Sequence, residues 1–263
     1  MSVVLINGSR LHYESFGRGQ PIVFVHGWLG SWRYWVPVMQ DLSVEYRTYA
    51  LDLWGFGDSA KELEQYAVET YVDMLVAFMD ELGIWQAPLV GHTLGAAVAA
   101  ELAARYPDRV SRVLAVGLPL TADAINHRLL SAGPNEALAR LFWHRQRPHE
   151  EVEMGAPKTA RNAIALTVQS VARLELLDTL DEIDVPLLSV YGALDNVISP
   201  DQAAELQANH YAARALVLAG THHFPMLDQS AKFSRLLRDF MDVKDPDDLQ
   251  ELTVKQEWRR RTR

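Results

Sequence analysis

Short apolar runs alternate with stretches of helical periodicity along most of this chain. Val3–Ile6 and Leu11–Ser15 flank the turn-forming triplet Asn7-Gly8-Ser9 and predict an opening antiparallel pair. Ile22-Val23-Phe24-Val25 is apolar at every position, which predicts a strand buried on both faces, since a half-exposed strand would alternate. Arg47–Leu51, Pro88–Val90, Val110–Val116, Pro186–Tyr191 and Ala215–Leu218 read as further strands. From Thr70 to Leu82 the spacing is helical, with Tyr71, Leu75, Phe78 and Met79 on one side. The alanine-rich stretch Leu94–Arg105 predicts a helix that ends before Tyr106-Pro107, because the residue preceding proline disfavours helical backbone. Helices are also predicted near Pro200–Asn209 and Gln229–Met241. This alternation predicts an α/β fold, a mostly parallel eight-stranded sheet flanked by helices.

One segment breaks the rhythm. Between Leu118 and Ile183 short helical patterns are punctuated by Gly133-Pro134, Arg147-Pro148 and Gly155-Ala156-Pro157, with no good strand. Residues 119–183 therefore read as a helical cap inserted into a core made of 1–118 and 184–245, with 246–263 as a polar, basic tail. Leu141-Phe142-Trp143, Ile164, Leu166, Val168 and Val171 in the insertion need a surface to pack on or a pocket to line.

Composition narrows the classes of function. The 263 residues are 49% hydrophobic and 22% charged, an ordinary globular balance, and this length buries a large core without staples. There is no cysteine, which removes disulfides, thiolate metal sites and a cysteine nucleophile. A net charge of −9 disfavours a nucleic-acid partner, because phosphate backbones repel it. The run Arg259-Arg260-Arg261-Thr262-Arg263 is a local exception, read as a solvated tail. Met1–Asn7 lacks a basic leader region, and no apolar stretch reaches the roughly 20 residues that cross a bilayer, so a cytoplasmic protein without integral membrane association is expected.

The stretch Leu89-Val90-Gly91-His92-Thr93-Leu94-Gly95-Ala96-Ala97 joins a predicted strand to a predicted helix. A turn this tight leaves little room for Cβ atoms beside its central residue, hence glycine at 91 and 95. The central residue is held in a strained conformation with its side chain exposed at the tip. The helix that follows aims its first amides at the same point, where they stabilise negative charge.

These segments together resemble the α/β-hydrolase superfamily, in particular its small, capped, esterase-like members. Four segments match in the family's order, from about Val4 to Met241. His26-Gly27-Trp28 stands where members carry an oxyanion turn, and Asp52-Leu53-Trp54-Gly55-Phe56-Gly57-Asp58-Ser59 resembles the loop after the next strand. Tyr191-Gly192-Ala193-Leu194-Asp195 resembles the strand end bearing the acid, and Gly220–Leu227 the loop bearing the histidine.

The resemblance implies Thr93 as nucleophile, His223 as general base and then acid, and Asp195 as the group orienting the histidine. His222 competes with His223, which directly precedes Phe224-Pro225-Met226-Leu227 as the family pattern requires. Asp201 and Asp184 compete with Asp195, and Gly117-Leu118-Pro119-Leu120 supplies no acid after the preceding strand. The amides of Trp28 and Leu94 are expected to form the oxyanion hole. Trp28, Leu29, His92, Phe142, Trp143 and Phe224 are expected to border the substrate pocket. His26 and His92 are read as hydrogen-bonding groups without proton transfer, and Asp52 and Asp58 as acids that stabilise their loop. No metal, nucleotide or flavin is implied; Gly55-Phe56-Gly57 continues as Asp58-Ser59-Ala60, which is not a dinucleotide-binding pattern.

Threonine at position 93 departs from the family's serine. It keeps the hydroxyl, but its β-methyl suits a positive-φ turn poorly and restricts the rotamers that aim the oxygen. The first reading is an esterase for a small, fairly apolar carboxylic ester, acting through an acyl-threonine. A small-molecule-binding protein on a hydrolase scaffold is the alternative, and other chemistry in the same pocket, such as a lyase or a cofactor-free peroxidase-like reaction, is the third.

Overall fold

In the computed structural model, which describes residues 2–61, 66–130, 149–210 and 212–254, all eight strands form one sheet. β1 (Ser2–Ile6) and β2 (Ser9–Phe16) make the expected hairpin, with Asn7 and Gly8 in the turn at φ 50° and 81°. β3 (Gln20–Val25), β4 (Tyr46–Leu51), β5 (Ala87–His92), β6 (Val110–Val116), β7 (Leu187–Gly192) and β8 (Ala213–Leu218) follow. Their order across the sheet is β1-β2-β4-β3-β5-β6-β7-β8. The β1–β2 and β2–β4 pairings are antiparallel and all others parallel. Ile22, Val23, Phe24 and Val25 are fully buried, as a strand covered on both faces requires.

Helices cover both faces. α1 (Val36–Leu42) was not evident in the apolar pattern; it is seven residues long and follows directly from a 3-10 turn at Trp32–Trp35. α2 (Val68–Glu81) buries Tyr71, Leu75, Phe78 and Met79, the stripe its spacing predicts. α3 (Leu94–Arg105) is buried from Leu94 through Ala103. Its alanines let the backbone lie close to the sheet, which is why a helix with so little amphipathic contrast is stable here.

Between β6 and β7 lie α4 (His127–Leu130), α5 (Glu150–Gly155), α6 (Ala163–Val171) and α7 (Leu176–Asp181), with no strand among the described residues. Ile164, Val168 and Val171 are buried, whereas Leu166 is exposed. Leu141, Phe142 and Trp143 lie outside the described residues. α8 (Gln202–Asn209), α9 (Pro225–Asp228) and α10 (Ser230–Met241) complete the expected alternation. The segment read as a tail begins with a further helix, α11 (Pro246–Glu251). Asp245 caps it by accepting from the Asp248 amide, and Leu249 is fully buried. One apolar residue among acids gave too weak a pattern to predict it. The arginine run lies outside the described residues. No helix among the described residues is long and apolar enough to cross a membrane.

The parallel strands point their carboxyl ends the same way. The segments after β3, β5, β7 and β8 therefore converge at one edge of the sheet, where open α/β sheets place their sites.

Candidate active site

Thr93 is the hinge between β5 and α3, at φ 47° and ψ −102°. For a β-branched residue that conformation costs about 1–3 kcal/mol. The surroundings enforce it. Thr93 N donates to the Val116 carbonyl at 2.8 Å, which ties the turn to β6. A Cβ at Gly91 would overlap the Gly95 carbonyl, and one at Gly95 would overlap the Val25 carbonyl and lie 2.8 Å from that of His26. Both glycines are thus required by close backbone approach.

Asp195 and His223 meet beside this hinge. Asp195 follows β7 and His223 follows β8, strands that neighbour each other in the sheet. His223 Nδ1 lies 2.9 Å from Asp195 Oδ2 and 3.1 Å from Oδ1, and the two side chains are 0% and 2% exposed. The carboxylate can only accept, so Nδ1 carries a proton, and in the neutral ring Nε2 is the acceptor. Asp195 is itself held by the amides of Val197 and Ile198, which donate to Oδ1 at 2.8 and 3.2 Å. Gly192 is needed for this meeting, because a Cβ there would overlap the His222 carbonyl. His222 faces away. Its amide donates to Asp228 Oδ2 at 2.6 Å, and its side chain is 26% exposed.

The Thr93 hydroxyl does not complete the line. Oγ1 is buried and makes no hydrogen bond among the described residues. It lies on the Gly27 side, where a Cβ on Gly27 would overlap it, while the methyl Cγ2 faces Gly117, 3.4 Å from where a Cβ there would sit. The two branches on Cβ are locked together, so any turn of χ1 that moves the oxygen also moves the methyl.

The turn after β3 supplies the other wall. Gly30 N donates to the Gly27 carbonyl at 3.1 Å, and Leu29 sits in the left-handed region at φ 56°. Trp28, Leu29, His92 and Phe224, expected at the pocket, are all buried around this point. The Trp28 indole donates to Thr167 Oγ1 of α6 at 2.9 Å, linking the turn to the inserted helices. Nothing in the sequence marked Thr167, since one hydroxyl in a helix carries no pattern. His26 is fixed as a neutral ring: the Leu53 amide donates to Nε2 at 2.9 Å, so Nδ1 donates to the Gly27 carbonyl at 2.8 Å. Burial lowers its pKa, against the opposing influence of Asp52. Both nitrogens of His92 are likewise engaged by protein groups, the Tyr34 hydroxyl and the His223 carbonyl. His92 thus offers the site no free polar atom. Tyr34 was missed because it stands in Trp32-Arg33-Tyr34-Trp35, which reads as aromatic core.

One group of described residues has the spacing for a metal: His12, Asp52 and Asp58, with ligand atoms within 4.8 Å of one another. The two carboxylates are already engaged by donors of the protein. Arg33 and Lys158 bind Asp58 at 3.2 and 2.6 Å, and the amides of Trp32 and Asp58 donate to Asp52 at 2.8 Å each. The arrangement stabilises the loop after β4.

Comparison with known proteins agrees with this architecture. Residues 20–137 match the family model described as the alpha/beta hydrolase fold. The pimeloyl-[acyl-carrier protein] methyl ester esterase of Aeromonas hydrophila is 28% identical over 256 residues, covering 87% of this chain and 98% of that protein. The protein of the same name from Vibrio cholerae is 29% identical over 258 residues, covering 88% and 97%. The crystal structure of the enol-lactonase from Burkholderia xenovorans superposes with a TM-score of 0.80 at 22% identity, covering 92% of this chain and all of that one. From its sheet order, its strained hinge after β5 and the family match over residues 20–137, the chain has the α/β-hydrolase fold.

Proposed function

We propose that this protein hydrolyses a small, fairly apolar carboxylic ester, with Thr93 as nucleophile, His223 as general base and acid, and Asp195 as the orienting carboxylate. The observation that carries the reading is the buried His223–Asp195 pair, 2.9 Å apart, beside a threonine strained at φ 47°. A fold has little reason to hold both unless the hydroxyl is to be presented. The esterase names of relatives matched over nearly their whole length support the same class of reaction.

In the reaction, Thr93 Oγ1 attacks the ester carbonyl while His223 Nε2 takes its proton. The tetrahedral oxyanion is bound by the amides of Trp28 and Leu94. The neighbouring amides of Thr93 and Gly30 are occupied by the carbonyls of Val116 and Gly27, so they do not compete for it. His223 then returns the proton to the leaving alcohol. Water, deprotonated by the same nitrogen, cleaves the acyl-threonine, and Oγ1 recovers its proton as the acid departs. Asp195 stays ionised and stabilises the imidazolium. Residues 119–183 act as the cap, and Trp28 and Phe224 wall the pocket.

The position of Oγ1 favours a second reading, a ligand-binding protein on the same scaffold, since the hydroxyl makes no hydrogen bond to His223. Turnover of short methyl and nitrophenyl esters by the wild type and by Thr93→Ala separates the two. Loss of turnover in Thr93→Ala supports the esterase. Equal inactivity of both proteins, with retained ligand binding, supports the receptor.

A further inference from the structure

Three hydrogen bonds run through the protein behind the proposed catalytic groups. The Gly27 amide donates to Tyr34 Oη at 2.6 Å, Tyr34 Oη lies 3.1 Å from His92 Nδ1, and His92 Nε2 lies 2.9 Å from the His223 carbonyl. Their directions follow from chemistry. A carbonyl only accepts, so His92 Nε2 carries the proton. In a neutral imidazole Nδ1 is then an acceptor, so the Tyr34 hydroxyl donates to it. An amide only donates, so the Tyr34 oxygen accepts from Gly27.

The attachment points of this relay are specific. Gly27 directly precedes Trp28, whose amide is assigned to the oxyanion. His92 directly precedes Thr93. The His223 carbonyl belongs to the base itself. Filling buried polar groups does not by itself require that all three anchors fall on or next to the working residues. We propose that Tyr34 and His92 are positioning residues, a rigid relay that sets the oxyanion turn, the nucleophile and the base in register with one another. This rests on the esterase reading for its catalytic consequence, but not for the coupling itself.

The surroundings are built for rigidity. Tyr34 and His92 are fully buried. Gly30 has no room for a Cβ because the Tyr34 ring lies beneath the turn, its Cε1 only 2.5 Å from that point. Phe224 closes the other side, with ring centroids 5.7 Å from Tyr34, 5.2 Å from His92 and 5.0 Å from His223. The relay carries no proton. Burial holds the His92 pKa well below its ordinary value and that of Tyr34 well above, so neither changes charge near neutral pH. A neutral His92 places no charge beside His223, 4.6 Å away between ring centroids.

Tyr34→Phe removes one oxygen and keeps the ring. The test combines kcat and KM on a short nitrophenyl ester with nitrogen-15 spectra of the histidine side chains in the unliganded protein. The expected result is a KM within about twofold of wild type, a kcat lower by about tenfold or more, since misplacement by a fraction of an ångström is costly, and a displaced His223 imidazole resonance. No hydrogen bond joins Tyr34 to that ring, so a purely local packing role would leave the resonance in place. His92→Phe and His92→Gln provide the second test. Gln, which still offers a donor and an acceptor, restores a wild-type-like His223 resonance and most of kcat, and Phe does not. An unchanged His223 resonance and kcat in Tyr34→Phe, or equal behaviour of the Phe and Gln variants, overturns the relay. If the wild type turns over no ester, the esterase reading fails, and the spectra still decide whether Tyr34 and His92 hold His223 in place.

Discussion

The hydroxyl of Thr93 is directed at Gly27 and its methyl at Gly117, so the proposed nucleophile faces the proposed oxyanion turn and is not hydrogen-bonded to its proposed base. Serine has no methyl to relocate when its oxygen swings towards His223. Thr93→Ser is therefore expected to match or exceed wild-type kcat on short esters. Steady-state assays of the two proteins check this, and a clear loss in the serine variant would mean that the pocket is shaped around the methyl.

The same relationship makes position 27 intolerant. A Cβ there would overlap Thr93 Oγ1 and lie 2.7 Å from the His92 carbonyl and 3.0 Å from His92 Nδ1. Gly27→Ala should lower kcat/KM by about a hundredfold, the scale expected when reacting groups move by about 1 Å. An alanine variant with wild-type kinetics would show that the hydroxyl does not work from where it is observed.

His223→Ala should abolish turnover, whereas His222→Ala, whose ring points towards Asp228 at 3.8 Å and not into the site, should keep it within a few-fold. Parallel assays of the two variants decide between adjacent histidines.

Thr167→Val preserves shape but deletes the acceptor of the Trp28 indole. Leaving a buried N–H without its partner should cost about 1–3 kcal/mol. Urea denaturation measures it; a change within experimental error would show that the indole finds another acceptor.

Acid should destabilise the protein through its buried histidines. Burial lowers the folded-state pKa of both His26 and His92 from the ordinary 6.5, and the nearby His223 lowers that of His92 further. Between the folded and unfolded values the unfolded chain binds more protons, so stability is complete above about pH 6.5 and falls as the pH drops below it. The slope approaches about 1.4 kcal/mol per pH unit for each histidine. Urea midpoints at pH 7.5, 6.0 and 5.0 test this, and His92→Gln should remove its share of the slope.

Much of the fold was legible because parallel strands and the alanine-rich helix write themselves into the apolar pattern. The Gly91–Gly95 spacing was legible for a steric reason that the backbone contacts now specify. What escaped was of two kinds. α1 and α11 are too short to establish a period, and their stability comes from packing that no local window contains. The Trp28–Thr167 and Tyr34–His92 bonds join residues 139 and 58 positions apart, and a hydroxyl gives no sign in sequence of the partner it will meet. The direction of the Thr93 hydroxyl is a rotamer, and a one-dimensional pattern does not encode it.

β5 lies between β3 and β6, with Val90 paired to Phe24 on one side and to Leu114 on the other. Its amides should therefore be among the slowest in the molecule to exchange with solvent deuterium, released only when the whole sheet comes apart. The conformational energy stored at Thr93 has no local unfolding route by which to dissipate. Thermal fluctuations that fray β1 or β8 at the sheet edges leave the tip of β5 unchanged, so the hinge keeps its shape until the domain itself melts.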